Sequence, residues 1–197
     1  MRNVVIGFLG TQLDMGKRRA WRPSVQLCAH PDFPVDRLEL IHDQGHYHLA
    51  CNVAAAIRAV SPATKVRLVH IDMADPWDFQ EVYGQLYDFA AEYGFDEDRE
   101  RYHVHLTTGT HVAQICWFLL TESRHFPARL IQTGPPGPDE GDQPKFDIID
   151  LDLSHYNLLQ QRFDQLSREY SSQLKGGIET KNPAYNALID RIEVVTS

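Results

Sequence analysis

The chain has 197 residues, 43% of them hydrophobic, with 27 acidic against 19 basic side chains and a net charge of −8. This composition suits one large folded domain, or one domain with a terminal extension, and excludes a disordered chain. The acidic balance argues against a surface that grips duplex DNA by itself. No apolar run reaches the roughly 18 residues of a membrane span, so a cytoplasmic location is expected.

Residues 3–9 read as a buried first strand, ended by Gly10-Thr11. Residues 12–34 lack periodicity and carry Gly16, Pro23, Pro31 and Pro34, which predicts a long ordered loop; such loops in compact domains tend to be functional. Residues 35–41 form a second strand. Leu49, Val53, Ile57 and Val60 recur at helical spacing until Ser61-Pro62. A third strand covers 66–72. Asp75-Pro76 is expected to cap and open the next helix, with Phe79, Val82, Leu86, Phe89 and Tyr93 as its buried stripe and Gly94 as its stop.

A fourth strand covers 102–107. Residues 110–124 are apolar on nearly every face, as in a central helix covered on both sides. Strands at 128–132 and 146–153 flank a turn-rich segment of Gly and Pro. Tyr156 to Leu174 mark a long amphipathic helix, and Asn182-Pro183 opens a last one. Strands alternating with helices imply an α/β fold, a mostly parallel sheet of about six strands flanked by helices on both faces. Ligands then sit at the carboxyl ends of the strands.

The most informative such end is Thr107-Thr108-Gly109-Thr110-His111, between a strand and an apolar helix. Glycine lets backbone approach a ligand, a helix start offers free N–H donors, and three hydroxyls add hydrogen bonds. The set suits a phosphate or a ribose; plain helix capping by Thr is the alternative. Gly10-Thr11 should lie beside it. The basic cluster Lys17, Arg18, Arg19 and Arg22 could pair with phosphate, and Trp21 could stack on a base or pin the loop. His111 could hold a phosphate or move a proton.

Gly10 to Lys17 is no Walker loop, because five residues separate Gly10 from Gly16 and no Ser or Thr follows Lys17. Cys28, Cys51 and Cys116 form no CxxC pair, so reduced thiols are expected, with Cys116 in the core. His42, His46 and His48 cluster in sequence, and His103 and His105 share a strand face, without cysteines or carboxylates at zinc spacing. No metal and no cofactor is expected.

Several blocks together resemble one family. They are Trp21-Arg22-Pro23, Asp36 to Asp43, Asp75 to Tyr83, His105 to Leu120, Pro127 to Gln132 and Ile148 to Ser154. The stretch is similar to the N-terminal domain of the RtcR family, sigma-54-dependent transcriptional activators of a bacterial RNA-repair operon. The resemblance implies a Rossmann-like CARF fold that dimerises and restrains an AAA+ ATPase until an RNA-derived ligand binds. That ligand would be an RNA end with a 2′,3′-cyclic phosphate, or a short oligoadenylate. By resemblance the ligand site comprises Gly10, Thr11 and Thr107 to His111.

Residues 1–175 would form the sensing domain and 176–197 a helix and linker toward the ATPase. The ATPase and the helix-turn-helix domain fall outside this chain, so DNA and sigma-54 RNA polymerase would be contacted only through them, and no membrane is expected as partner. Two other readings stay open. One is a CARF enzyme of the ring-nuclease type that cleaves cyclic oligoadenylate; the other is a dimerisation module without a ligand.

Overall fold

Runs rich in Val, Ile and Leu become the strands β1 (Arg2–Phe8), β2 (Arg37–His42), β3 (Lys65–His70), β4 (Glu100–His105), β5 (Ala128–Gly134) and β6 (Lys145–Ile149). In this computed structural model they form one sheet in the order β3-β2-β1-β4-β5-β6. The first five are parallel and β6 runs antiparallel to β5. The described residues are 1–16, 21–136 and 145–149. Lys17 and Arg18, the continuation of the sixth strand past Ile149, the two C-terminal helices and the boundary expected at residue 175 lie outside them.

Helices α1 (Pro23–Cys28), α2 (Tyr47–Val60), α3 (Phe79–Glu92) and α4 (His111–Glu122) cover the sheet, α1 packing with α2 and α3 with α4. Strand alternation divides the core. Val5, Leu38 and Leu40 join Leu27, Val53 and Ile57 on the α1–α2 side. On the other side Phe8 meets Trp117, whose ring stands edge-on to Phe126 at 4.8 Å. Trp117 and Phe126 are fully buried, so truncating either to Ala should cost about 3–5 kcal/mol. At the amino ends of the strands, Arg37 bridges Glu39 at 2.8 Å and Glu100 at 2.6 Å. The Arg37 hydrogen bonds to Glu100 hold its carboxyl down at about 2 against its burial. That edge is closed by ion pairs; the carboxyl ends are the open edge.

Three expectations need correction. The 12–34 segment is not all loop: Pro23 starts α1, which buries Ser24, Val25, Leu27 and Cys28. Six residues are too few to display a helical period. Helix α3 is capped by Asp78, whose carboxylate accepts from Glu81 N at 2.8 Å. Asp75 instead makes a local turn with Trp77 N, and Glu81 reaches back to the N–H groups of Ala74 and Asp75. The later start leaves Phe79 exposed and buries Val82, Leu86 and Ala90. Phe89 packs sideways on Tyr93 and Phe126.

Last, α4 is covered on one side only among the described residues. Ala113, Cys116, Trp117 and Leu120 are buried, while Ile115, Phe118 and Leu119 stand exposed because α4 belongs to an outer layer. No helix among the described residues is long and apolar enough to cross a membrane. The three cysteines are free thiols, and Cys28 and Cys116 are buried.

Candidate functional site

From β1 the chain proceeds to β2 on one side, and from β4 to β5 on the other. The carboxyl ends of these two central strands therefore flank the switch point where open α/β sheets bind ligands. A cavity of about 490 Å³ opens there. One wall is the β4–α4 loop, Thr107 to His111, with Gly10 and Thr11 at its base. The opposite wall is the end of β2, with His42, Asp43 and His46. Phe8, Ile71, Met73 and Trp77 supply the apolar cover.

The β4–α4 loop is fixed from below. The Thr107 hydroxyl donates to Thr133 O at 3.1 Å, so it must accept from the Thr133 hydroxyl at 3.0 Å and Thr133 N at 2.7 Å. The Thr133 hydroxyl is thereby left to accept from His105 Nε2, 2.9 Å away. Burial pushes the His105 imidazole down to about 4, so it stays neutral near pH 7. Thr107 thus serves the floor and has no proton left for a ligand. Thr110 is the helix cap: its hydroxyl accepts from Ala113 N at 3.1 Å and donates to Pro76 O at 2.9 Å. This last bond draws the segment bearing Trp77 toward the cavity.

Two features of the loop remain uncommitted. The described hydrogen bonds give no protein acceptor to the backbone N–H groups of residues 107–112. The Thr108 hydroxyl is buried without a partner among the described residues. Gly109 carries φ +95, and an added Cβ would stand 3.1 Å from the Phe8 ring. Glycine is required here by the backbone and by Phe8, before any ligand is considered. His111 is exposed, with Nδ1 3.4 Å from Gln114 Oε1.

Gly10 and the β4 loop do meet: a Cβ on Gly10 would stand 2.9 Å from the Thr108 methyl and 2.9 Å from Asp14 Oδ2. The Gly10 N–H, however, is spent on Asp14, which also accepts from Ser24 N and the Ser24 hydroxyl. Burial raises the Asp14 carboxyl, and these hydrogen bonds with Ser24 and Gly10 oppose it. Gly10 contributes closeness to the site and Asp14 fixes the turn. Trp21 and Arg22 do not line the cavity; Arg22 Nε donates to Asp14 O at 2.8 Å beside the start of α1.

The β2 wall escaped sequence reasoning. His42 ends β2 and Asp43 follows it, the same carboxyl-end placement that singled out Gly10 and Thr107. Asp43 Oδ1 accepts from His46 N at 2.9 Å, and His46 Nδ1 lies 2.7 Å from Asp43 Oδ2. Burial opposes it, but the hydrogen bonds and charge of His46 hold the Asp43 carboxyl below its ordinary range. Among the described residues no group of three or more His, Cys, Asp or Glu is placed to hold a metal ion.

Comparison with solved structures places the fold. Csm6 of Enterococcus italicus, bound to cyclic hexa-2′-fluoro-hexa-dAMP, superposes with a TM-score of 0.59 at 13% identity, over 88% of this chain and 47% of that one. Protein VC1899 from Vibrio cholerae gives 0.50 at 10% identity, over 73% and 35%. The chain is thus an α/β domain with the Rossmann-like CARF fold.

Sequence comparison specifies the family. Residues 1–177 match the family model RtcR, regulator of RNA terminal phosphate cyclase. The transcriptional regulatory protein RtcR of Escherichia coli (strain K12) is 47% identical over 203 residues, 98% of this chain and 38% of that protein. The chain belongs to the RtcR family, and it spans well under half the length of this curated relative.

Proposed function

We propose that the chain is the ligand-sensing domain of a sigma-54-dependent transcriptional regulator of RNA-repair genes. In this reading the cavity takes the phosphate-bearing end of an RNA, a 2′,3′-cyclic phosphate, or an oligoadenylate. The observation that carries it is the run of backbone N–H groups at 107–112 without acceptors among the described residues, beside the buried Thr108 hydroxyl, likewise unpartnered among them. Donors at a helix start bind phosphate oxygens, and Trp77 offers a face on which a base can stack. The cyclic oligonucleotide held by the Csm6 relative in fold agrees with this choice. Binding would release an ATPase carried elsewhere in the full regulator, which alone would meet DNA and the polymerase in the cytoplasm. The exposed row Ile115, Phe118 and Leu119 on α4 is the surface we assign to a homodimer.

Calorimetric titration tests the ligand class. The probes are triadenylates ending in a 2′,3′-cyclic phosphate, a 3′-phosphate or a 3′-hydroxyl, together with cyclic tetra-adenylate. Micromolar or tighter binding is expected for at least one phosphate-bearing probe; no binding by any overturns the reading. A second reading, cleavage of the bound oligoadenylate, draws on the His46–Asp43 pair, which has the contact of a general base with its orienting carboxylate. In it a ribose 2′-hydroxyl attacks the adjacent phosphorus and expels the 5′-oxygen. Mass spectrometry of the recovered probe separates the two: intact material supports sensing, and a shorter product ending in 2′,3′-cyclic phosphate supports cleavage.

A further inference from the structure

The two walls of the cavity have opposite hydrogen-bonding character. The β4–α4 wall presents donors, the N–H groups of residues 107–112, which are unpaired among the described residues. The β2 wall presents acceptors. His42 is 5% exposed, and its Nδ1 lies 2.8 Å from Asp43 O. A carbonyl oxygen only accepts, so Nδ1 carries a proton, and the Nδ1–H tautomer presents Nε2 as an acceptor. That nitrogen has no hydrogen-bond partner among the described residues, and the ring lines the cavity. Beside it, the half-exposed Asp43 carboxylate is held by His46 alone among the side chains of the described residues and retains lone pairs.

A wall made of a carboxylate and an imidazole acceptor repels phosphate and takes hydroxyl or amino donors. In doubly wound sheets, an acidic residue beyond the phosphate loop serves this purpose by accepting from a ribose hydroxyl. Here β1 lies between β2 and β4. Their ends therefore stand two strand spacings apart, about 10 Å, a gap that a terminal cyclic phosphate and the ribose of the preceding nucleotide can bridge.

Resting on the oligonucleotide reading above, we propose that Asp43 and His42 form a ribose-reading site that accepts a 2′-hydroxyl and makes the cavity selective for ribonucleotides over deoxyribonucleotides. The phosphate then lies at Thr108 to His111 and the sugar at the end of β2, which fixes the direction of the bound strand. The 2′-hydroxyl is the group by which a protein tells RNA from DNA.

The test uses two triadenylates with the same 2′,3′-cyclic phosphate end, one with ribose and one with 2′-deoxyribose at the first two nucleotides. The wild-type chain should bind the ribose form about tenfold or more tighter, as expected for a hydrogen bond to a charged acceptor. Asp43→Asn keeps a capping oxygen for His46 N but loses the charge, and should reduce that preference to about twofold or less by weakening only the ribose form. Equal binding of both probes by the wild type, or equal weakening of both in Asp43→Asn, overturns the ribose site and leaves the oligonucleotide reading standing. Failure of the wild type to bind either probe or any member of the titration panel overturns both. The wild-type comparison decides even if the variant does not fold.

Discussion

At the scale of single residues, the site separates groups that hold the loop from groups that await a ligand. Thr108 is the clearest of the second kind. Its hydroxyl is buried with no partner among the described residues while its methyl packs on Gly10. Thr108→Val removes only the uncompensated hydroxyl, so stability in chemical denaturation should stay equal or rise, by up to about 1–2 kcal/mol. Affinity for the phosphate-bearing probe should fall about tenfold in calorimetry. Gly109→Ala should do the reverse in origin. The strained φ and the Phe8 ring predict a loss of about 1–3 kcal/mol in stability, seen in the same denaturation curves, together with weakened binding.

Residue types alone marked Thr108, Gly109 and Thr110 as a set, but not this division of labour. Which hydroxyl is committed depends on Thr133 and Pro76, 26 and 34 residues away. The same limit hid the role of Gly10, whose N–H is claimed by Asp14.

At the scale of elements, the floor of the site links β4 to β5 through His105, Thr133 and Thr107. Burial lowers His105 to about 4, and burial followed by the charges of Arg129 and Arg101 lowers His103 to about 4. Both imidazoles have folded-state values below the ordinary 6.5, so the unfolded chain binds protons that the folded chain refuses. Their contribution is complete above about pH 6.5 and is lost as the pH falls from there toward 4. Denaturation between pH 7 and 4.5 should show a decline of up to about 1.4 kcal/mol per pH unit for each buried imidazole. His105→Gln, which keeps a donor for Thr133, should make that slope about half as steep. An unchanged slope would remove His105 from the account.

Periodicity located the strands and α2 to within a few residues because their apolar runs are long. It missed α1, which has six residues. It also placed the cap of α3 at Asp75, because Asp75-Pro76 and Asp78 both satisfy capping chemistry and only the fold chooses between them. The β2 wall was legible in principle. The rule that ligands gather at strand ends applies to His42 and Asp43 as it does to Thr107, but no glycine or Thr run accompanies them.

At the scale of the whole molecule, the alternation of strands and helices is enough to establish the α/β class, while β6 pairs antiparallel with β5, in keeping with a connection of turn residues that holds no crossover helix. The exposed Ile115, Phe118 and Leu119 explain why α4 reads as apolar all round. In a homodimer through this row, light scattering gives twice the chain mass for the wild type and the chain mass for Phe118→Glu, with monomer stability unchanged within about 0.5 kcal/mol. A Phe118→Glu dimer would place the contact elsewhere.

In the proposed function the β4–α4 loop receives the phosphate of an oligoribonucleotide through its backbone. Amide proton–nitrogen correlation spectra during titration with the cyclic-phosphate triadenylate test it directly. The largest shifts should fall on Thr108, Gly109, Thr110 and His111, whose N–H groups lack acceptors among the described residues, with a smaller change at Gly10, already bonded to Asp14. Saturating shifts confined to residues away from this loop, with 107–111 unmoved, would contradict the account.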